Sequence, residues 1–279
     1  MTATPPAERQ QRTMLDFAGE SVLIAAGGRA ILLQLADPAV GRGVAEHSDF
    51  VTRPLDRLHA TLTYVYTVAF GTPDEVAEVV RRVNRAHVPV HGAADGEHAD
   101  RPSYNAFNPE LQLWVAGTLY DSAATMYGLV FGELEPAVAD ELYDGYEKLA
   151  TSLQVPSGYW PRTRADFARY WDSRLGTLAP SPAAVAAAHS LLYPRSGPLW
   201  LRAAMPLGRL ITTGLLPAEL REPFELQWSA RRQKRFDRVM GLTRLIYPRL
   251  PQSLRQWPKN HYLRVLRSRI ATQGERADA

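Results

Sequence analysis

The chain has 279 residues, of which 46% are hydrophobic and 22% charged, as expected of a globular protein with a sizeable core. It contains no cysteine, which excludes disulfides, zinc–thiolate sites, iron–sulfur clusters and cysteine nucleophiles. Its net charge of +3 combines −7 on the first 226 residues, +11 on residues 227–269, here called the basic segment, and −1 on the last ten.

The N-terminal sequence MTATPPAERQQRTMLDF lacks the apolar core of a signal peptide. The longest apolar stretch, VLIAAGGRAILLQLA, is interrupted by Arg29 and is shorter than the roughly 18 uncharged residues that a membrane span requires. Both observations predict a cytoplasmic protein. The adjacent glycines Gly27 and Gly28 in this stretch are expected to allow close packing between helices.

Apolar residues recur at helical spacing through nearly every segment, and no sustained strand alternation is present. The chain is therefore predicted to be all-α, with one domain at residues 15–270 between flexible tails at 1–14 and 271–279. The predicted helices cover residues 19–36, 38–47, 53–70, 73–90, 108–131, 136–153, 164–176, 182–192, 198–213, 217–246 and 258–270.

Two helix starts carry clear boundary signals. Thr72-Pro73-Asp74-Glu75 combines a capping residue, a first-turn proline and two acids at the positive helix end, and Asn108-Pro109-Glu110 repeats the pattern. The long connection at residues 92–108 has no periodicity, which makes it a candidate functional loop.

Arg57 and Thr61 are four residues apart on the helix predicted from about residue 54, so they share a face. A buried arginine among leucines would need an anionic partner. The alternative is a surface arginine paired with a nearby acid: Glu46, Asp49 or Asp56.

The stretch VRRVNRAHVPVHG, residues 80–92, places His87 near the end of a charged amphipathic helix. It lies on one core-facing stripe with Val76, Val79, Val80 and Val83. Periodicity alone leaves three roles open for His87: a solvated residue, a hydrogen-bonded core residue or a metal ligand. We expect His47 to be a cap or a hydrogen-bonded core histidine and His59 to be solvated.

From GGRAILLQLADPAVGRGVAEHSDFVTRPLDRLHATLTYVYTVAFGT through VRRVNRAHVPVHG to YNAFNPELQLWVAGTLYDS, the chain resembles the superfamily that joins latex-clearing rubber oxygenases to the oxygenase of mycophenolic acid biosynthesis. The resemblance covers roughly residues 15–235. In the rubber oxygenases, a globin-like helical core holds haem b through a proximal histidine, and an arginine and a threonine four residues apart lie beside the pocket. The resemblance thus implies that the domain is globin-like, that His87 is the axial haem ligand and that Arg57 and Thr61 are pocket residues.

The chain departs from this family's pattern at three places. Many relatives have histidines where this chain has Asp37, in LQLADP, and Ala116, in WVAGTL. If either histidine supports the pocket through hydrogen bonds, oxygen activation is altered or lost here. Some rubber oxygenases carry a distal lysine where this chain has Ala60.

The resemblance implies a haem b-dependent oxygenase that uses dioxygen on an apolar substrate, isoprenoid-like or polyketide-like. His87 would bind the iron, Arg57 would orient a haem propionate or polarise bound oxygen, and Thr61 would donate a hydrogen bond nearby. A haem-binding sensor or carrier without turnover is one alternative, suggested by the two missing histidines. A haem-free helical scaffold at the membrane surface is the other.

Three roles are open for the basic segment. It could pack its helices on the acidic remainder of the chain, form a patch for an anionic membrane, or bind nucleic acid. Its intermittent leucines and prolines favour packed helices over a disordered arm. Because the relative in mycophenolic acid biosynthesis is membrane-bound, the resemblance favours a cytoplasmic protein peripheral to the inner face of the membrane.

Overall fold

The structure is a computed structural model that describes residues 14–47, 54–94, 102–194 and 198–277. Within these residues the protein is all-α, as the sequence predicts, with one two-residue strand pair. The elements in chain order are α1 (Met14–Ala18), a 3-10 helix (Ser21–Ala26), α2 (Gly27–Ala36), α3 (Pro38–His47), α4 (Pro54–Phe70), α5 (Pro73–His87), β1 (His91–Gly92), β2 (Tyr104–Asn105), α6 (Pro109–Phe131), α7 (Pro136–Thr151), α8 (Arg164–Leu175), α9 (Pro182–Leu192), α10 (Leu199–Leu215), α11 (Ala218–Arg221), α12 (Ala230–Ile246), a 3-10 helix (Tyr247–Arg249), α13 (Gln252–Arg255) and α14 (Trp257–Ala277).

The two predicted capping signals form as expected. At the start of α5, the Glu75 amide donates to Thr72 Oγ1 at 3.3 Å, and the Thr72 amide donates to Glu75 Oε2 at 3.0 Å. At the start of α6, the amides of Glu110 and Leu111 both donate to Asn108 Oδ1. These caps fix the starts of the two helices that flank the 92–108 connection.

Two predicted helix boundaries are wrong for reasons of backbone chemistry. Helix α5 ends at His87 rather than at residue 90, because Pro89 has no amide hydrogen to continue the helical ladder. The single helix predicted at 217–246 is broken between α11 and α12, where Glu225 adopts a positive φ of 55° and Ser229 caps a new helix by accepting from the Arg232 amide.

The chain ends also differ from the prediction. Helix α14 continues to Ala277, beyond the predicted helix end at residue 270. Near the N-terminus, the predicted helix at 19–36 is divided into a 3-10 helix and α2.

The only strands in the described part of the chain are β1, where the 92–108 connection begins, and β2, within it. Strands β1 and β2 pair antiparallel, with His91 opposite Asn105 and Gly92 opposite Tyr104. A Cβ atom at Gly92 would lie 2.5 Å from the Tyr104 ring, so the close approach of the strands requires glycine there. The pairing brings the two ends of the connection together.

Helix α2 is buried against α6 and α10, and Gly28 allows the contact with α10. A Cβ atom at Gly28 would lie 2.1 Å from Thr212 Oγ1, which confirms that glycine permits close helix packing here. The side chain of Gln34 donates to Thr118 Oγ1 on α6 at 2.9 Å. Trp114, also on α6, donates through Nε1 to the Leu33 carbonyl at 3.3 Å.

Arg29, which interrupts the apolar stretch, is 5% exposed and anchors the other end of this contact. Its Nη1 donates to Ser122 Oγ at 2.9 Å, its Nε donates to the Leu215 carbonyl at 2.8 Å, and its Nη2 lies 2.6 Å from Asp121 Oδ2. Desolvation raises the pKa of the Asp121 carboxyl, and the Arg29 charge opposes that rise. The buried charge on α2 is thus balanced from α6.

Within the described residues, no single helix is both long enough and apolar enough to cross a membrane. The segments Ser21–Ala36 and Pro38–His47, which meet at a 105° bend, satisfy the length and composition criteria only when taken together.

Replacing Arg29 by Ala should lower the free energy of unfolding by about 3–5 kcal/mol, because it leaves Asp121 without its cationic partner in a desolvated site. Chemical denaturation followed by circular dichroism measures this loss. Arg81→Ala is the matched control: Arg81 is 62% exposed in its pair with Glu78, so it should cost only ~0–1 kcal/mol. Equal losses in the two variants would contradict the role assigned to Arg29.

Candidate functional site

His87 is the last residue of α5, and its half-buried imidazole makes no side-chain hydrogen bond with the described residues. The Nδ1 atom is fully shielded from solvent. Buried polar atoms without a partner are rare in folded proteins and call for an explanation. His87 is therefore not a hydrogen-bonded core histidine within the described part of the chain, and its imidazole nitrogens are not used by protein partners there.

The surroundings of His87 favour its neutral form. Desolvation lowers the pKa of the imidazole, and the positive charge of Arg57 lowers it further. A neutral imidazole keeps a lone pair that can be donated to a metal. The same electrostatic coupling shows that α4 and α5 bring these two predicted site residues close together.

Arg57 lies in the first turns of α4 with its side chain exposed to solvent. Protein nevertheless surrounds it closely enough that desolvation lowers the pKa of its guanidinium. Arg57 thus lies at the protein surface with protein atoms close around it. The guanidinium remains charged because arginine is not deprotonated in proteins.

The sequence analysis offered nearby acids as ion-pair partners of Arg57, and the structure describes the surroundings of Glu46 but not those of Asp49. Glu46 is engaged elsewhere, since its Oε1 lies 2.8 Å from Arg42 Nε and its Oε2 accepts from the Tyr104 hydroxyl at 2.7 Å. Asp49 lies outside the described residues. Thr61 follows Arg57 by one turn of α4 and is half-buried, and its hydroxyl makes no hydrogen bond within the described part of the chain.

Phe107, at the end of the 92–108 connection, contacts the His87 ring edge-on. The two ring centroids are 6.2 Å apart and the planes are inclined at 85°. The Phe107 amide donates to Asn105 Oδ1 at 2.8 Å, which ties the aromatic residue to β2. The sequence indicated a functional loop here but gave no signal for Phe107 itself.

A network of side-chain amides holds the elements around His87. Gln112 on α6 donates through Nε2 to the Ala106 carbonyl at 2.7 Å and accepts from the Gln154 amide at 2.9 Å. Gln154 in turn donates to Asn84 Oδ1 on α5 at 3.0 Å. The network thus connects the last turn of α5, the residue before Phe107 and the start of α6. Sequence reasoning missed it, because its members are far apart in the chain.

Asp37 and Ala116, the two residues that replace family histidines, both make contacts that stabilise the fold. Asp37 Oδ1 accepts from the amides of Ala39 and Val40, which caps α3, and Oδ2 is ion-paired with Arg174. Ala116 is buried in the main core of the protein. Both departures are therefore part of the scaffold.

The remaining sequence candidates lie in ordinary surroundings. His47 Nε2 is 2.7 Å from the Tyr104 hydroxyl, but the residue is exposed, so it is hydrogen-bonded at the surface and not in the core as predicted. His59 is exposed, as expected, with its ring centroid 5.8 Å from that of Tyr262. Ala60, at the position of the family's distal lysine, is also exposed.

The donor atoms at this site limit the kind of metal centre it can hold. In the described residues, no cluster of three or more His, Cys, Asp or Glu side chains is placed to bind a metal ion. A metal bound by His87 would therefore need most of its ligands from a prosthetic group. Haem b would meet this requirement, since its porphyrin would supply most of the iron ligands and His87 could hold it.

The chain is similar to a known protein family and to proteins of two mycobacteria. The family model of the catalytic domain described as ER-bound oxygenase mpaB/B′/rubber oxygenase matches residues 15–245. Uncharacterized proteins of Mycobacterium bovis and Mycobacterium tuberculosis are each 36% identical over 238 residues, covering 81% of this chain and 89% of the relative. No solved structure matches the chain significantly, so the globin-like arrangement stays a prediction.

The coupling between Arg57 and His87 predicts a measurable change in titration. In the haem-free protein, Arg57→Gln should raise the pKa of His87, because it removes a positive charge that opposes protonation. Histidine NMR signals followed against pH give this value.

Arg85→Gln is the matched control for this titration, since Arg85 is exposed on the same helix but does not lower the His87 pKa. An unchanged His87 pKa in Arg57→Gln, or equal shifts in both variants, would show that Arg57 is not at this site.

Proposed function

The chain belongs to the mpaB/rubber oxygenase catalytic-domain family, and on that premise we propose that it is a haem b-dependent oxygenase with His87 as the axial iron ligand. The observation that carries the proposal is the buried His87 nitrogen without a protein partner. This supports the proposal because the His87 ring makes no protein hydrogen bond that would compete for its lone pair, and Arg57 supplies a positive charge for an anionic group.

The residues present suit haem b: His87 suits its iron, and Arg57 suits its propionate carboxylates. The lowered pKa of His87 keeps the imidazole neutral, as iron ligation requires. The guanidinium of Arg57 matches a propionate carboxylate in charge and in its ability to donate two parallel hydrogen bonds. The positive charge of Arg57 acts on His87, which places the two proposed functions in the same region of the protein.

When bound, the haem iron supplies dioxygen binding and activation. The protein contributes the environment in which this occurs. Thr61, with a hydroxyl that makes no hydrogen bond in the described chain, is proposed to donate one inside the pocket. The Phe107 ring packs perpendicular to the His87 ring, and the side-chain amide of Gln112 holds the backbone beside Phe107.

The substrate is proposed to be apolar, isoprenoid-like or polyketide-like. Half-buried aliphatic side chains follow Arg57 along α4 and precede His87 on α5: Leu58, Leu62, Val65, Val68, Val80 and Val83. Side chains of this kind bind hydrocarbon well and offer no charge to a polar substrate.

A haem-binding sensor or carrier is the competing function. It is favoured by Asp37 and Ala116, which provide no imidazole where many relatives have one. The two functions differ in oxygen uptake: an oxygenase consumes dioxygen with an unsaturated isoprenoid substrate, whereas a carrier shows the haem absorption band without consumption. A preparation that takes up no haem would instead indicate the haem-free scaffold.

His87→Gly should abolish stable haem b binding, because it removes the axial nitrogen and no cysteine can substitute. Added imidazole should restore the haem absorption band by occupying the space of the missing side chain. This rescue separates a ligand from a residue that only maintains the fold.

The matched control for this loss is His91→Gly, four residues further on and exposed. It should bind haem as the wild type does. Unchanged haem affinity in His87→Gly, or a loss that imidazole does not reverse while circular dichroism shows an intact fold, would contradict the ligand assignment.

Arg57→Gln should reduce turnover or haem affinity by about tenfold or more, because it removes a preorganised positive charge from the pocket. Folding stability should change by no more than ~1 kcal/mol, since the side chain is exposed. Oxygen uptake, haem titration and denaturation measure the three quantities. Wild-type turnover together with wild-type haem affinity would return Arg57 to the role of a surface residue.

A further inference from the structure

The basic segment contains cations that pair with acids elsewhere in the protein and cations that do not. Arg255 is ion-paired with Glu20, and Arg267 Nε lies 2.7 Å from Glu75 Oε1, so two cations of α13 and α14 are balanced by acids of the first 226 residues. This is the first of the three roles predicted for the segment. Helix α12 differs.

The exposed face of α12 carries arginines over its first half and aliphatic side chains over its second. At 3.6 residues per turn, these positions fall within an arc of about 100°, here called the α12 stripe. The stripe consists of Arg231, Arg235, Arg238, Leu242, Leu245 and Ile246.

The charges of the α12 stripe are unbalanced. Arg231, Arg235 and Arg238 are exposed, and none of them makes an ion pair or a side-chain hydrogen bond with the described residues. The single acid of the helix, Asp237, lies off the stripe and accepts from Gln233 Nε2 at 2.7 Å. An anionic partner would therefore meet three arginines whose charges are not already compensated.

The aliphatic end of the α12 stripe is unusually open to solvent. Leu242, Leu245 and Ile246 are 52%, 55% and 54% exposed, although the opposite face of the same helix buries Phe236 and Met240. The helix therefore does not need these three side chains for its packing on the core. Contiguous exposed aliphatic residues on a soluble surface indicate an interaction site.

We propose that the α12 stripe docks on an anionic lipid bilayer, with the arginines at the headgroups and the three aliphatic side chains in the interface. The pairing of cationic and aliphatic residues on one helix face is the pattern that lies in the plane of such a surface. The phosphates of a nucleic acid could pair with the arginines. The three aliphatic side chains would then lie beside a charged polymer that offers them no apolar contact. The proposal does not depend on haem binding.

Docking can be measured directly by sedimentation with vesicles. The full-length protein should bind vesicles that contain about one third anionic lipid and should bind neutral vesicles poorly. Binding should fall as salt rises from about 0.05 to 0.5 M, because screening shortens the reach of exposed charges. Arg231→Glu/Arg235→Glu/Arg238→Glu should weaken partitioning by about 100-fold or more, since each basic residue contributes roughly 1 kcal/mol near such a surface.

The matched control for charge is Lys148→Glu/Arg162→Glu/Arg169→Glu, which reverses three exposed cations elsewhere and gives the same net change, from +3 to −3. This variant should keep most of the binding. Equal losses in the two triple variants would overturn the proposal, because attraction would then depend on overall charge and not on α12.

The aliphatic part is tested with a single fluorescent label, which the absence of native cysteine makes straightforward. An environment-sensitive dye on Leu245→Cys should shift to shorter wavelength when anionic vesicles are added, whereas the same dye on exposed Ser173→Cys of α8 should not.

Three other outcomes would overturn the proposal: no binding at any salt concentration, a shift at Leu245→Cys that depends on protein concentration without vesicles, or tighter binding to duplex DNA than to the vesicles. The second would identify a second copy of the chain as the partner, and the third a nucleic acid.

Discussion

The contact between α2 and α6 is the constraint on which the rest of the fold depends. It is held at one end by the buried Arg29–Asp121 pair and at the other by the bond from Trp114 to the Leu33 carbonyl. An unpaired charge in this setting would cost several kcal/mol, so the ion pair fixes the rotation of α2 relative to α6. Helix α10 is positioned by the same arginine through the Leu215 carbonyl. Three helices thus share one anchored arrangement.

The site is built outward from this arrangement through the first turns of α6. Gln112, two turns before Thr118, reaches the backbone beside Phe107 and, through Gln154, the last turn of α5. The His87 ring is therefore placed by the core even though it makes no side-chain hydrogen bond itself. Its unused nitrogen, lowered pKa and charged neighbour Arg57 are consequences of that placement. The chain belongs to a family of oxygenase catalytic domains, and this arrangement is its candidate site.

Helical periodicity and capping signals were enough to predict the all-α class and most helix bounds, because both are local properties of the sequence. His87, Arg57 and Thr61 could be selected from their spacing and from a family resemblance. Phe107 and the amide of Gln154 could not, since their contacts join segments far apart in the chain. The importance of Arg29 was also hidden, because its partner Asp121 is 92 residues away. The break before α12 depends on a backbone conformation at Glu225 that composition does not reveal.

The central claim is that His87 provides the protein's single bond to a haem iron. Resonance Raman spectroscopy of the ferrous protein, after reconstitution with haem b, tests it most directly because the iron–histidine stretching band reports the axial bond itself. We predict one haem per chain and a clear iron–histidine band. Haem bound at that stoichiometry without the band, or haem that dissociates on gel filtration, would contradict the claim.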